Sequence, residues 1–263
     1  MVMRRYGQVV CLTILLAATG CSGEQISPQV QRQLDAGLRT YEAGDDRATI
    51  EHADAVLRQH VRGAGAMQAY YLRGMAKYRL KEYPAAEWDL EQVYRKTKNN
   101  DLYVKAADTL GELAYLRGDM ALAASCLQKV IDQTSAGVRP WDHAQFRMGC
   151  VRQRQGRWKD ADLYFDRVMY YVPGTPLARQ GRRRVHGRKW TIQVGSYKKK
   201  QNTVAEAEKF RAGRMETFIE PVVRDGELTF LLRVGRWDRY EQAEKQLPSV
   251  RKMKADAFLC VTR

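Results

Sequence analysis

The chain has 263 residues, 44% of them hydrophobic and 29% charged, with a formal net charge of +15. That composition excludes a disordered chain and a multi-span membrane protein, and the length suits one or two hydrophobic cores. The excess of positive charge favours an acidic partner: nucleic acid, anionic lipid or a carboxylate-bearing polymer. Compartment has to choose among these.

Residues 1–21 speak to compartment. Arg4 and Arg5 form a positive start, and Val9 to Ala18 form an apolar stretch. It is too short to span a hydrocarbon core of about 30 Å as a helix. Small residues then lead to a cysteine, Ala18-Thr19-Gly20-Cys21, the layout of a secretory signal peptide. This ending resembles a bacterial lipobox. The resemblance implies a signal at residues 1–20, lipid on the Cys21 thiol, and a short tether over 21–28. An ordinary signal peptide with a chance cysteine, or an uncleaved anchor, is the alternative. Each buried acyl CH₂ contributes about 0.8 kcal/mol, so several chains hold a protein firmly on a membrane. Ser22 rather than Asp follows the cysteine. By resemblance to enterobacterial sorting, that favours the outer membrane, facing the periplasm.

Cys126, Cys150 and Cys260 remain beyond the signal. Three widely spaced cysteines make neither a disulfide framework nor a metal site, and they read as small buried hydrophobes, with a Cys126–Cys150 bridge as the alternative.

Residues 29–187 repeat. Gly37, Gly74, Gly111 and Gly149 recur at spacings of 37, 37 and 38. Seven positions after each comes a turn, at Gly44, Lys81, Gly118 and Gly156. Twelve after comes a small residue, Thr49, Ala86, Ala123 or Ala161. Nineteen after comes Val56, Val93, Val130 or Val168. A glycine on one helix lets its partner approach, the small residue does the same in return, and Leu90, Leu127 and Phe165 fill the space between. In the first repeat Ala53 stands where a large residue is expected. Each hairpin exposes an apolar face that its neighbour must cover. The offsets resemble the tetratricopeptide repeat, a helix–turn–helix of about 34 residues. Four hairpins are expected, followed by a capping helix over Leu177–Val185, with Thr175 as N-cap and Pro176 in the first turn. Arg182, Arg183, Arg184, Arg188 and Lys189 form a basic run there, read as a solvated cap or an anion contact. The resemblance implies a groove lined by the first helix of each pair. Tyr41, Tyr78 and Tyr115 recur at one groove position, and Tyr71 and Phe146 share another. Rigid aromatics with polar tips suit a protein partner; tyrosines packed between helices are the alternative.

At Trp190 the pattern switches to alternation, Trp190-Thr-Ile-Gln-Val-Gly-Ser-Tyr197. A helix is expected over Asn202–Arg214 and a hairpin over Thr217–Val234 through Asp225-Gly226. A second helix follows at Tyr240–Met253 and a last strand at Ala257–Val261. This βαββαβ order predicts a four-stranded antiparallel sheet with helices on one face. The fold class is therefore α plus α+β: an all-α solenoid, then a split-βαβ domain over 188–263.

The paired motifs Ile192-Gln-Val-Gly-Ser-Tyr197 and Leu232-Arg-Val-Gly-Arg-Trp237, with the intervening helix, resemble the SPOR (sporulation-related repeat) domain. The resemblance covers 188–263 and implies binding to septal peptidoglycan, on glycan strands stripped of their stem peptides. It implies Gln193 and Ser196 as glycan contacts. On the third strand Thr229, Leu231 and Arg233 share a face, where other members carry Trp and Arg at the Thr229 and Leu231 positions. Arg233 or Trp237 is expected to compensate. An amide, a hydroxyl and a guanidinium together can bond the hydroxyls, acetamides and carboxylates of a glycan.

RNA binding fits the strand order and the charge, but Gln193 and Leu231 stand where that class carries stacking aromatics. No nucleic acid partner is expected. An enzyme would need paired carboxylates or a nucleophile with its base. The four histidines are scattered, and the acids read as exposed helix positions. No catalytic residue, cofactor or metal is expected. The reading is a lipid-anchored envelope protein whose C-terminal domain binds glycan. Its repeats engage wall synthases, hydrolases or division proteins, with enrichment at the division septum. In a variant of this reading the repeats are an assembly scaffold and the last domain only an anchor.

Overall fold

The computed structural model describes residues 26–59, 62–224 and 226–262. Cys21, the position where the sequence leads one to expect a lipid, lies outside them. The described chain divides into two compact units, one ending at Ala144 and the other running from Gln145 to Arg263.

The first unit holds three helical hairpins: α1 (Pro28–Ala43) with α2 (Asp46–Leu57), α3 (Gly63–Arg79) with α4 (Tyr83–Lys96), and α5 (Asn100–Arg117) with α6 (Met120–Gln133). Side-chain caps at Ser27, Asp45, Asn99 and Asp119 start α1, α2, α5 and α6. Gly44 and Gly118 close α1 and α5 in the left-handed conformation. Lys81 takes the same conformation at the α3–α4 turn, with φ 65°. The expected small and valine positions are buried throughout, from Thr49 and Val56 to Ala123 and Val130. The predicted helix contact is also present. A Cβ on Gly74 would stand 3.0 Å from Leu90, and one on Gly111 3.0 Å from Leu127. At Gly37, where Ala53 stands at the large position, the neighbours are His52 at 3.3 Å and Leu72 at 3.6 Å.

One acid departs from expectation. Asp89 on α4 is fully buried. Arg73 grips it through two bonds of 3.0 and 2.5 Å, and Lys77 adds a third at 2.8 Å. Arg73 also reaches Asp54 on α2. A carboxylate on a helix face is normally solvated. Here two cations from α3 replace its water, and the fork of Arg73 matches the carboxylate geometry.

The second unit takes in α7 (Trp141–Arg154) from Gln145 onward, then α8 (Trp158–Tyr171) and the capping helix α9 (Pro176–Arg184). The sheet domain follows: β1 (Lys189–Tyr197), α10 (Lys200–Ala212), β2 (Thr217–Arg224), β3 (Glu227–Trp237), α11 (Tyr240–Met253) and β4 (Phe258–Thr262). The hairpin α7–α8 is the fourth repeat. Its Gly149 faces Phe165 so closely that a Cβ would fall 2.6 Å from the ring. Thr175 caps α9 as expected, accepting from the Ala178 N–H at 3.1 Å. The strands pair antiparallel in the order β2-β3-β1-β4. Ile192, Val194, Leu232 and Val234 meet Ala207 and Phe210 of α10 and Val250 of α11, so both helices cover one face.

The fourth hairpin is fastened to the sheet domain. Asp162 of α8, another buried acid, accepts from the His186 N–H at 2.8 Å and pairs with Arg188 at 2.8 Å. Gln153 and Arg184 exchange two bonds of 3.0 Å. Trp158 packs on Trp190, with ring centres 5.9 Å apart. Tyr240 meets Trp190 edge-on at 5.0 Å and takes the Arg154 guanidinium 3.8 Å above its ring. The fourth hairpin and the sheet domain thus share one compact unit.

Among the described residues the cysteines are free. Cys126 and Cys150 are buried, and Cys260 is intermediate. No helix of the described residues is long and apolar enough to cross a membrane.

Candidate functional site

The sheet face away from α10 and α11 carries the polar groups. Simple alternation along β1 would put Gln193 and Ser196 on opposite faces. The β1–β3 register shifts by one residue between Gln193 and Gly195, so Ser196 stands opposite Leu231 while Gln193 stands opposite Arg233. This β-bulge brings Gln193 and Ser196 to the same face and turns Tyr197 to the helix side. Tyr197 then lies over Gly195, where a Cβ would stand 2.5 Å from its ring.

A second register shift lies between Trp190 and Ile192, opposite Gly235, which has φ 64°. Gly235 takes this left-handed conformation at little cost, and Trp237 folds back over it. A Cβ there would meet the indole at 2.1 Å. Trp237 packs with both helix-side clusters. It is therefore a core residue and not a contact on the polar face, contrary to the sequence expectation. The bulge inverts the parity that would have placed it there. The two Val-Gly-x-aromatic motifs are the same device used twice. In each, the glycine makes room for an aromatic ring that re-enters the core.

The polar face is built around Arg233. Its side chain lies between Gln193 on β1 and Phe218 on β2. Its Nη1 donates to Cys260 Sγ at 2.8 Å and to the Val261 carbonyl at 3.4 Å. Its Nε lies 2.8 Å from Glu220 Oε2. The N–H is not aligned with that oxygen, and neither atom has a hydrogen-bond partner. Arg233 is 7% exposed and Gln193 9%. Leu231 is only 2% exposed, closed in by Ser196 and Glu220 on either side. It offers no surface to a ligand, which corrects the expectation for that position. Ser196 is exposed and Thr229 half-buried. Arg236 lies 4.1 Å above the Phe218 ring. Glu220, Phe218 and Arg236 were missed from sequence. The alternation Phe218, Glu220, Val222 was the available signal, because it puts one acid on the face that carries Arg233. Burial raises the Cys260 thiol pKa, partly offset by the Arg233 charge.

Residues 187–259 match the SPOR domain model, and residues 143–175 match the tetratricopeptide repeat model. The C-terminal sheet is a SPOR domain. The hairpin before it is a tetratricopeptide repeat. SPOR domains bind peptidoglycan and tetratricopeptide repeats bind proteins; neither is a catalytic family. Among solved structures, the chain is similar to the crystal structure of MamA (22% identity, 54% of this chain and 77% of that one, TM-score 0.47). It is also similar to MamA 41-end from Desulfovibrio magneticus RS-1 (14% identity, 57% and 78%, TM-score 0.49). No curated protein matches the chain.

The expected groove residues behave differently from one another. Tyr71 is buried in the core of the first unit, and burial drives its phenol pKa far upward. It fills the space between helices instead of lining a groove, which corrects the expectation. Tyr41 is half-buried beneath Arg79, whose guanidinium lies 3.7 Å above the ring and pairs with Asp46 at 2.7 Å. Tyr78 is half-buried against Tyr83, with ring centres 5.8 Å apart. Tyr115 is half-buried too. Phe146, in the second unit, packs on Phe165 at 5.6 Å.

Proposed function

We propose that the protein is an envelope lipoprotein whose SPOR domain holds stem-peptide-poor glycan at sites of wall constriction, while its repeats gather wall synthases, hydrolases or division proteins. The observation that carries the reading is the polar face. One bulge sets the Ser196 hydroxyl, opposite Leu231, on the same face as the Gln193 amide, opposite Arg233. Those groups match the hydroxyls, acetamides and carboxylates of a glycan strand. Charge supports it. Residues 145–263 hold 27 lysines and arginines against 13 acids, a net +14 of the chain's +15. The basic excess thus sits in the unit that contains the SPOR domain and suits an anionic polymer. Lipidation at Cys21 and an outer-membrane location complete the proposal, on the signal-like start of the chain.

The test is co-sedimentation of soluble protein starting at Ser22 with isolated sacculi, intact and amidase-stripped. Wild type is expected to sediment more with stripped sacculi, and Gln193→Ala/Ser196→Ala to stay in the supernatant. Wild type remaining soluble with both preparations would sink the glycan reading and turn attention to the repeats.

A further inference from the structure

The Arg233–Glu220 pair is unusual for its setting. Arg233 is a buried cation at the centre of the polar face, and Glu220 is its nearest carboxylate. A carboxylate that pairs with arginine for stability normally takes two aligned N–H bonds. Here the contact is 2.8 Å without alignment, and both Nε and Oε2 go unsatisfied. Glu220 is the more accessible partner. It sits on the edge strand β2 with its side chain 38% exposed, while that of Arg233 is 8% exposed and is tied to Cys260 and Val261. An outside anion therefore reaches Arg233 only where Glu220 now stands.

We propose that Glu220 is a resident carboxylate that occupies the place of a ligand carboxylate, and that it sets specificity by exchange. This rests on the glycan-binding reading of the face. The group that replaces it is the free lactyl-type carboxylate of a sugar whose stem peptide has been removed. Such a carboxylate restores the charge that Arg233 loses when Glu220 swings into water. A peptide-bearing sugar has a neutral amide at that position and cannot compensate a buried guanidinium. Glu220 thus leaves weak anions and uncharged sugars without access to Arg233, and it admits a carboxylate held in place by the neighbouring Gln193 and Ser196.

The test uses the soluble chain from Ser22 and three sacculus preparations: intact, amidase-stripped, and stripped with carboxyls converted to neutral amides. Wild type and Glu220→Gln are compared, with circular dichroism to confirm that both are folded. The substitution is near-isosteric on a half-exposed side chain. It removes the competing charge, so affinity for stripped sacculi is expected to rise three- to tenfold. Neutralised sacculi are expected to lose most binding of both proteins. Carboxylates of the stem peptides are an alternative source of the anion, and intact sacculi binding as well as stripped ones would overturn the assignment to the sugar. If wild type binds stripped sacculi but Glu220→Gln binds them equally or less, the exchange is refuted while the glycan site stands. If wild type binds no preparation, the site and the exchange fall together.

Discussion

Replacing Asp162 with alanine separates the fastening of the fourth hairpin from its helical content. The Asp162 carboxylate accepts the His186 N–H at 2.8 Å and holds Arg188 at 2.8 Å, and it lies in a largely buried position. His186 sits at φ 61°, a conformation that a non-glycine residue keeps only when its surroundings hold it. Alanine orphans that N–H, at a cost of about 1–3 kcal/mol. Arg188 is nearly half exposed, so losing its ion pair adds at most about 1 kcal/mol. The expected loss is about 1–4 kcal/mol, which lowers the urea midpoint of the second unit by about 0.5–2 M. Tryptophan fluorescence reads this directly, because Trp158 and Trp190 meet at the fastened joint. Asp162→Asn keeps an acceptor for the His186 N–H and loses only the charge, so it should cost about 1 kcal/mol or less. Equal midpoints for the alanine and asparagine variants would show that the backbone bond carries none of the effect, and the argument would fail.

Three further outcomes follow from the packing. Gly149→Ala places a methyl 2.6 Å from the Phe165 ring and should cost about 1–3 kcal/mol, with Phe165→Leu recovering part of the loss in thermal melts. Lys81→Gly relieves a left-handed non-glycine turn and should raise stability by about 1 kcal/mol, read as a higher urea midpoint of the first unit. Burial pushes the Cys126 thiol up to about 11. The native thiol is therefore protonated at pH 8, and mass spectrometry after iodoacetamide should find Cys126 unmodified until denaturant is added; labelling of native protein at the rate of a free thiol would contradict the burial.

The repeats were legible because their packing is periodic. A glycine can be matched to the residue sixteen positions later, and Gly74–Leu90, Gly111–Leu127 and Gly149–Phe165 all meet as that spacing requires. The strand order was legible because alternation changes visibly at Trp190. Tyr71 was not, since helical spacing places it on a face without saying whether the next helix covers that face. Asp89 and Asp162 read as solvated from the sequence for the same reason. Their cations, Arg73, Lys77 and Arg188, come from other elements, and spacing along one helix cannot reveal them.

The amino-acid order by itself determined the local elements and their sequence: the hairpins, the capping helix at Thr175-Pro176, and the βαββαβ domain. These depend on contacts between residues a few positions apart, or one repeat apart, and such contacts leave periodic marks. Only the tertiary structure decided which side chains share the polar face. Two single-residue bulges set that, moving Ser196 onto the face and Trp237 off it, and a bulge is a property of the pairing between two strands. It likewise brought Glu220 to Arg233 across β2 and β3, a meeting set by register and not by distance along the chain.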